Sequence, residues 1–254
     1  VTWTEHGHPL AALFGLAIGA LSGWFVPWLI RVLPEPEAPT FEERDQLEPS
    51  DATNSLPPAP PKVAYVVLAS APGLALRTAL VSGVVGAALA ASVGWTGALL
   101  VLLPLTPIGV ALAVIDWHTT LLPTRIIGPS YALVVAAVLA AGAIDSDWHA
   151  IIRSAYGWAV MGGFFLLLWL VYPRGLGYGD VRLSGVLGFV LGYLGWSTLV
   201  VGMYSAFLLG GLGGGLLGLL KVVNRKRFPF GPFILIASVV GVATGPWLAT
   251  SLGY

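Results

Sequence analysis

Residues 95–116 read WTGALLVLLPLTPIGVALAVID, a stretch with no charge until it closes on Asp116. About 20 apolar residues cross a bilayer as a helix, so this stretch is a membrane span and the carboxylate marks one of its ends. Comparable stretches recur on both sides, near 10–30, 66–91, 126–144, 150–172, 183–196, 197–220 and 231–250. The pattern predicts an all-α polytopic membrane protein of about eight transmembrane helices, forming one domain over residues 1–254. Composition agrees: 57% of residues are hydrophobic and 9% charged, with a mean hydropathy of +0.86. Soluble domains carry about 25% charged residues. The sixth stretch is the shortest, and its boundary with the seventh rests on Gly195 and the polar Ser197-Thr198.

The first stretch, Leu10 to Ile30, is too long for the hydrophobic core of a secretory signal, and no Lys or Arg precedes it. It reads as a retained membrane helix. With eight spans and the N-terminus outside, eleven of the twelve basic residues fall at cytoplasmic ends or loops and only Arg153 falls outside. That asymmetry is what the positive-inside rule demands. A second carboxylate, in Gly177-Tyr178-Gly179-Asp180, follows the fifth span. The chain goes out through span four and returns through span five, so Asp116 and Asp180 are expected at one leaflet. Ionisable groups at membrane depth are costly, which makes two of them at matching depth a candidate site.

Residues 33–62 form the substantial hydrophilic segment, rich in Pro and Glu. Such composition favours an extended cytosolic loop, read here as a tether ahead of a docking element. Gly210, Gly214 and Gly218, with Gly211 and Gly215, recur at four-residue spacing that permits close helix packing. Pro104 and Pro107 are expected to bend the helix that delivers Asp116. With a net charge of +0 and no basic stripe, the electrostatic footprint of a nucleic-acid partner is absent. The chain has no cysteine, which excludes disulfides, thiolate metal sites and a cysteine nucleophile.

Two carboxyl groups held close together split their titration, since both cannot ionise cheaply at short range. One then serves as acid and the other as base, which suffices to hydrolyse an amide through an activated water. Gly177 and Gly179 are expected to allow unusual backbone torsions and to leave room beside Asp180 for an extended substrate. The same two carboxylates also suit a small proton- or cation-coupled transporter. A third alternative is hydration, or pairing with Arg125, Arg174 or Arg182.

Three segments resemble the type IV prepilin peptidase family of polytopic GxGD-type aspartic peptidases. They are Ile115-Asp116 followed by Leu122-Pro123, then Gly177-Tyr178-Gly179-Asp180-Val181-Arg182-Leu183, then Pro229-Phe230-Gly231-Pro232-Phe233. Phe14-Gly15-Leu16-Ala17-Ile18-Gly19 leading to Arg31 and Pro34 is a weaker fourth. The resemblance implies Asp116 and Asp180 as the catalytic pair of a peptidase that trims prepilin or pseudopilin leaders at the cytoplasmic face of the inner membrane. It implies substrate-binding or supporting roles for Gly177, Gly179, Arg182, Pro229, Gly231 and Pro232. No cofactor or metal is implied. The family usually has an acidic residue where this chain has Thr124, and a lysine where it has Arg182. Bifunctional members carry a longer cytosolic segment with four cysteines; here the segment is short and cysteine-free, so the resemblance does not extend to N-methyl transfer.

The histidines and serines offer less. His6 and His8 near the terminus lack a carboxylate or cysteine cluster to complete a metal site. His118 lies two residues past Asp116, within reach to tune it. Ser130 and Ser184 are hydroxyls without an evident base.

Overall fold

A computed structural model describes residues 8–35, 63–171, 176–219, 229–251 and 253. Among these the regular elements are helices: α1 (Pro9–Gly23), α2 (Val26–Val32), α3 (Tyr65–Ala69), α4 (Leu74–Val93), α5 (Ala98–Thr119), α6 (Thr124–Ile144), α7 (Trp148–Val171), α8 (Tyr178–Leu194), α9 (Trp196–Leu219) and α10 (Gly231–Ser251). Seven segments are long and apolar enough to cross a membrane: Pro9–Val32, α4, α5, α6, α7, the Trp196–Gly213 part of α9, and α10. The protein is an all-α, multi-pass membrane protein. Most of the hydrophilic segment, residues 36–62, lies outside the described residues, as do His6 and Arg174.

The eighth helix of the expected set is α8. Its 17 residues span about 26 Å at 1.5 Å per residue, just under the roughly 30 Å hydrocarbon core. It is short because it lies inside the bundle, touching α5, α6, α7, α9 and α10. From Leu183 to Leu194 almost every side chain is buried, so little of it needs to face lipid. It stops at Gly195, where the sequence placed the break.

Two expected spans are interrupted. The first breaks after Gly23, because Pro27 at the start of α2 would set its ring against the carbonyl four residues back. The second resolves into α3, a turn at Pro72-Gly73, and α4; Gly73 takes a left-handed φ of 73° that few other residues accept. In contrast, α5 stays helical through both Pro104 and Pro107, and it carries Asp116 inside its last turn.

Glycine stripes hold three helix pairs in close contact. Gly15, Gly19 and Gly23 of α1 lie against backbone carbonyls of Gly86, Ser82 and Thr78 in α4. Gly157 of α7 meets Gly188 and Gly192 of α8, and Gly202 of α9 meets Gly241 of α10. A Cβ at these points would collide with backbone, or at Gly202 with Leu191 Cδ1, so the small residue is what permits the approach. Of the expected stripe further along α9, Gly210 makes room for the ring of Phe230 and Gly211 has no described residue near it, while the surroundings of Gly214, Gly215 and Gly218 lie outside the description.

The two ends of the bundle differ in charge. The end of α5, the starts of α6, α8 and α10, and the α2–α3 region share one end; Arg31, Arg77, Arg125 and Arg182 lie there. Arg153 belongs to the opposite end, where its Nε and Nη2 donate to the carbonyls of Gly192 (2.8 Å) and Tyr193 (2.5 Å), capping α8. Exposed Trp24, Trp28 and Trp117 ring the first end, and Trp95, Trp148, Trp196 and Trp247 the second. Tryptophan girdles of this kind mark the two membrane interfaces.

Candidate active site

Asp116 is 4% exposed and Asp180 is 6% exposed, both at the same end of the bundle. They come from α5 and α8, helices that meet only because α6 and α7 lead out and back between them. Each carboxylate is held by one backbone N–H. Gly231, the first residue of α10, donates to Asp116 Oδ2 at 2.9 Å. Gly177 donates to Asp180 Oδ2 at 3.1 Å, while the Asp180 N–H returns a bond of 3.0 Å to the Gly177 carbonyl. Both donors sit at helix N-termini, where N–H groups lack intrahelical partners and the dipole favours negative charge.

The two carboxyl groups are near enough for the charge of Asp116 to act on Asp180. Leu122, in the turn after α5, joins their surroundings. A Cβ on Gly179 would lie 2.7 Å from Leu122 Cβ, and one on Gly231 would lie 2.8 Å from Asp116 Oδ2 and 3.3 Å from Leu122 Cδ2. The glycines therefore work differently from the sequence-based expectation. Gly177 has an ordinary extended φ of −74°, Gly179 is helical, and neither shows the left-handed torsion reserved for glycine. The room at Gly179 is filled by Leu122, so what glycine provides is close packing of the first-aspartate turn against the second-aspartate helix.

Among the described residues no cation pairs with either carboxylate. Arg182 instead donates through Nη1 to Thr124 Oγ1, and its guanidinium lies over the Tyr178 ring, 5.1 Å from the centroid. Thr124 and Arg182, the two positions at which the resemblance leads one to expect an acid and a lysine, are thus the two ends of one hydrogen bond. His118 is exposed and its Nδ1 donates to the Val114 carbonyl at 2.8 Å, away from Asp116. Ser130 and Ser184 donate to Ile126 and Val181 carbonyls of their own helices, both at 2.8 Å, which removes them as nucleophiles. Pro229 and Pro232 are buried beside Gly231; Pro232 lacks an N–H at a helix start where none is needed.

Asp180 Oδ1 is buried and has no hydrogen-bond partner among the described residues. A buried polar atom without a partner costs about 1–3 kcal/mol and calls for a reason. Two cavities are lined by neighbours of the pair, not by the carboxylates themselves. A cavity of about 420 Å³, lined by Glu35, Tyr65 and residues 121–125, opens beside Leu122. A second, of about 230 Å³ and almost wholly apolar, runs among α4, α5, α8 and α10, bounded by Ala113 and Pro232 next to the Asp116–Gly231 contact. Sequence reasoning quoted Leu122 without giving it a role and passed over Tyr131; the repeated contact of Leu122 with motif glycines is visible only in three dimensions.

Residues 103–245 match the model of the type IV leader peptidase family. The chain is 33% identical over 178 residues to a prepilin leader peptidase/N-methyltransferase of Aeromonas hydrophila, covering 68% of this chain and 58% of the relative. It is 34% identical over 165 residues to a protein of that name from Pseudomonas putida, covering 58% and 50%, and 29% identical over 137 residues to one from Bacillus subtilis, covering 54% and 52%. The chain thus spans between half and three fifths of the length of these curated relatives. No solved structure matches it. With the family model covering more than half of the sequence, the chain belongs to the type IV leader peptidase family.

Proposed function

We propose that the protein is an aspartic endopeptidase of the cytoplasmic membrane that removes the leader from type IV prepilin-like proteins at the cytoplasmic face, with Asp116 and Asp180 as its catalytic pair. The observation that carries this reading is the pair itself: two buried carboxylates at one bundle end, each fixed through one oxygen by a helix-terminal N–H. One carboxylate takes a proton from water as the water oxygen attacks the scissile carbonyl carbon. The other, protonated, donates to the carbonyl oxygen to give a gem-diol; as the C–N bond breaks, the first carboxyl passes the proton it took from water to the leaving amine and a diol hydroxyl returns its proton to the second, which regenerates the pair. Asp180 Oδ1, buried and unpartnered, is the oxygen available to that water.

The two cavities suit such a substrate. A leader fits the more polar cavity lined by Tyr65 and residues 121–125, and an apolar helix fits the side of the bundle where the apolar cavity opens. Gly177, Gly179, Pro229, Gly231 and Pro232 support the pair by packing. Neither metal nor cofactor enters this chemistry, and the reading does not include the methyl transfer named for the relatives.

Asp116→Asn and Asp180→Asn should each lower cleavage of a purified prepilin-like substrate by about 100-fold or more, the range in which general acid–base groups contribute. The double variant should be no worse than either single, since residues acting as one unit give non-additive losses. Cleavage at the normal rate by either single variant, correctly inserted, would refute the assignment.

A further inference from the structure

We propose that Arg182 is a positioning residue, a clasp that holds the turn after Asp116 against the start of α8, rather than a group that touches the substrate. Arg182 is held by α6 at two points. Its side chain donates to the hydroxyl of Thr124, the first residue of α6, and its backbone carbonyl accepts a bond of 2.8 Å from Tyr131 Oη. Thr124 and Tyr131 are seven residues apart, so they lie on one face of that helix. The Tyr178 ring beneath the guanidinium completes the enclosure, and Arg182 Nε is buried with no hydrogen-bond partner among the described residues.

The consequence follows from chain order. Arg182 is two residues past Asp180, and successive residues turn about 100° around a helix axis. Its side chain therefore leaves α8 on a different side from the carboxylate. Thr124 is two residues past Leu122, which fills the space against Gly179 and Gly231. Drawing Thr124 toward α8 presses Leu122 onto Gly179 and fixes the end of α5 where Asp116 sits. The clasp thereby sets the separation of the two carboxylates without approaching the reacting atoms. Thr124 is exposed, so its hydroxyl contributes little to the core.

The kinetic arm of the test rests on the peptidase reading; the second arm does not. Arg182→Gln and Thr124→Val should each lower kcat about tenfold and leave KM within about twofold, because an interaction that orients the catalytic groups is felt in the transition state. The double variant should be no worse than the weaker single, and Thr124→Ser should retain most activity. Thr124→Glu combined with Arg182→Lys, which rebuilds the clasp as an ion pair, should recover activity relative to Arg182→Lys alone. A tenfold rise in KM at unchanged kcat would make Arg182 a substrate contact, and additive losses would show that the two residues are not coupled; either result overturns the proposal. In the second arm, the cysteine-free chain receives Asp116→Cys and Asp180→Cys, and crosslinking is measured with a short bis-maleimide. Adding Thr124→Val should cut the yield several-fold, and an unchanged yield overturns the clasp whether or not the protein cleaves prepilins.

Discussion

Gly231→Ala tests whether the geometry around Asp116 governs activity. The new Cβ would stand 2.8 Å from Asp116 Oδ2 and 3.3 Å from Leu122 Cδ2, both inside van der Waals contact. A Cβ is fixed to the backbone and cannot swing away, so the carboxylate must move and its 2.9 Å bond from the Gly231 N–H must lengthen. A hydrogen bond to a charged group contributes about 1.5–3 kcal/mol. If that stabilisation is what holds Asp116 ready, its loss lowers kcat by roughly 10- to 150-fold at 1.4 kcal/mol per decade. The assay is leader removal from a purified prepilin-like substrate, with folding checked by the thermal midpoint of the detergent-solubilised protein. Gly163→Ala supplies the control, because nothing lies within 4 Å of a Cβ there. It sits inside α7, where replacing glycine by alanine is neutral or stabilising by about 0.5–1 kcal/mol. Wild-type kcat in Gly231→Ala would show that the Gly231–Asp116 bond does not orient the carboxylate, and the role given to the start of α10 would fall with it.

Of the two aspartates at the opposite end, Asp145 and Asp147, only Asp147 should tolerate asparagine without loss. Asp147 Oδ1 caps α7 by accepting from Ala150 N–H at 2.9 Å, and asparagine caps equally well. Asp145 accepts from Gly97 N–H at 3.0 Å and from Tyr193 Oη at 3.2 Å; Asp145→Asn should lower stability by about 1 kcal/mol in a thermal melt. A midpoint equal to wild type would remove that joint. For topology, a reporter fused after Lys62 should register cytoplasm and one after Asp147 the outside; the reverse would place the aspartates on the wrong face for leader removal. Glu35 is engaged as the cap of α3, accepting from Tyr65 and Val66 N–H at 2.8 and 3.0 Å. The other acids of the hydrophilic segment are Glu37, Glu42, Glu43, Asp45, Glu48 and Asp51. Neutralising these six should raise KM at low salt and matter less at high salt, where the Debye length falls below about 8 Å; an unchanged salt response would make the segment a passive tether.

Much of the architecture was legible because bilayer length is a strong constraint: the break at Gly195 and the shared end of Asp116 and Asp180 follow from counting spans. The places where sequence reasoning slipped have local causes. Residues 66–91 have the length and hydropathy of a span, and only the Pro72-Gly73 turn divides them. The spacing of Gly15, Gly19 and Gly23 announces a helix contact as clearly as the later glycines of α9 do. Gly15 and Gly19 also fall in a segment that resembles a family motif, which draws attention from their packing role, and on α9 Gly210 accommodates an aromatic ring. The GxGD glycines invite a torsional explanation because glycine is usually chosen for φ; here Leu122 occupies the space that the missing side chain of Gly179 leaves, and a leucine 57 residues upstream gives no sign of that in the sequence.

Thr124 and Arg182 show most directly what the third dimension adds. Taken singly, each differs from what the resemblance leads one to expect, a hydroxyl in place of an acid and a planar fork in place of a compact ammonium. Taken as one contact, the changes compensate: a hydroxyl cannot form an ion pair but accepts a hydrogen bond, and a guanidinium offers donors at several angles to reach it. The cation has an aromatic face beneath it, at 5.1 Å from the Tyr178 centroid, which adds to the hold on the guanidinium. A substitution at either position alone would leave the other group without its partner beside the turn that carries Leu122. The two positions are therefore expected to change together, and the pairing of donor and acceptor, more than the identity of either residue, is what the site requires.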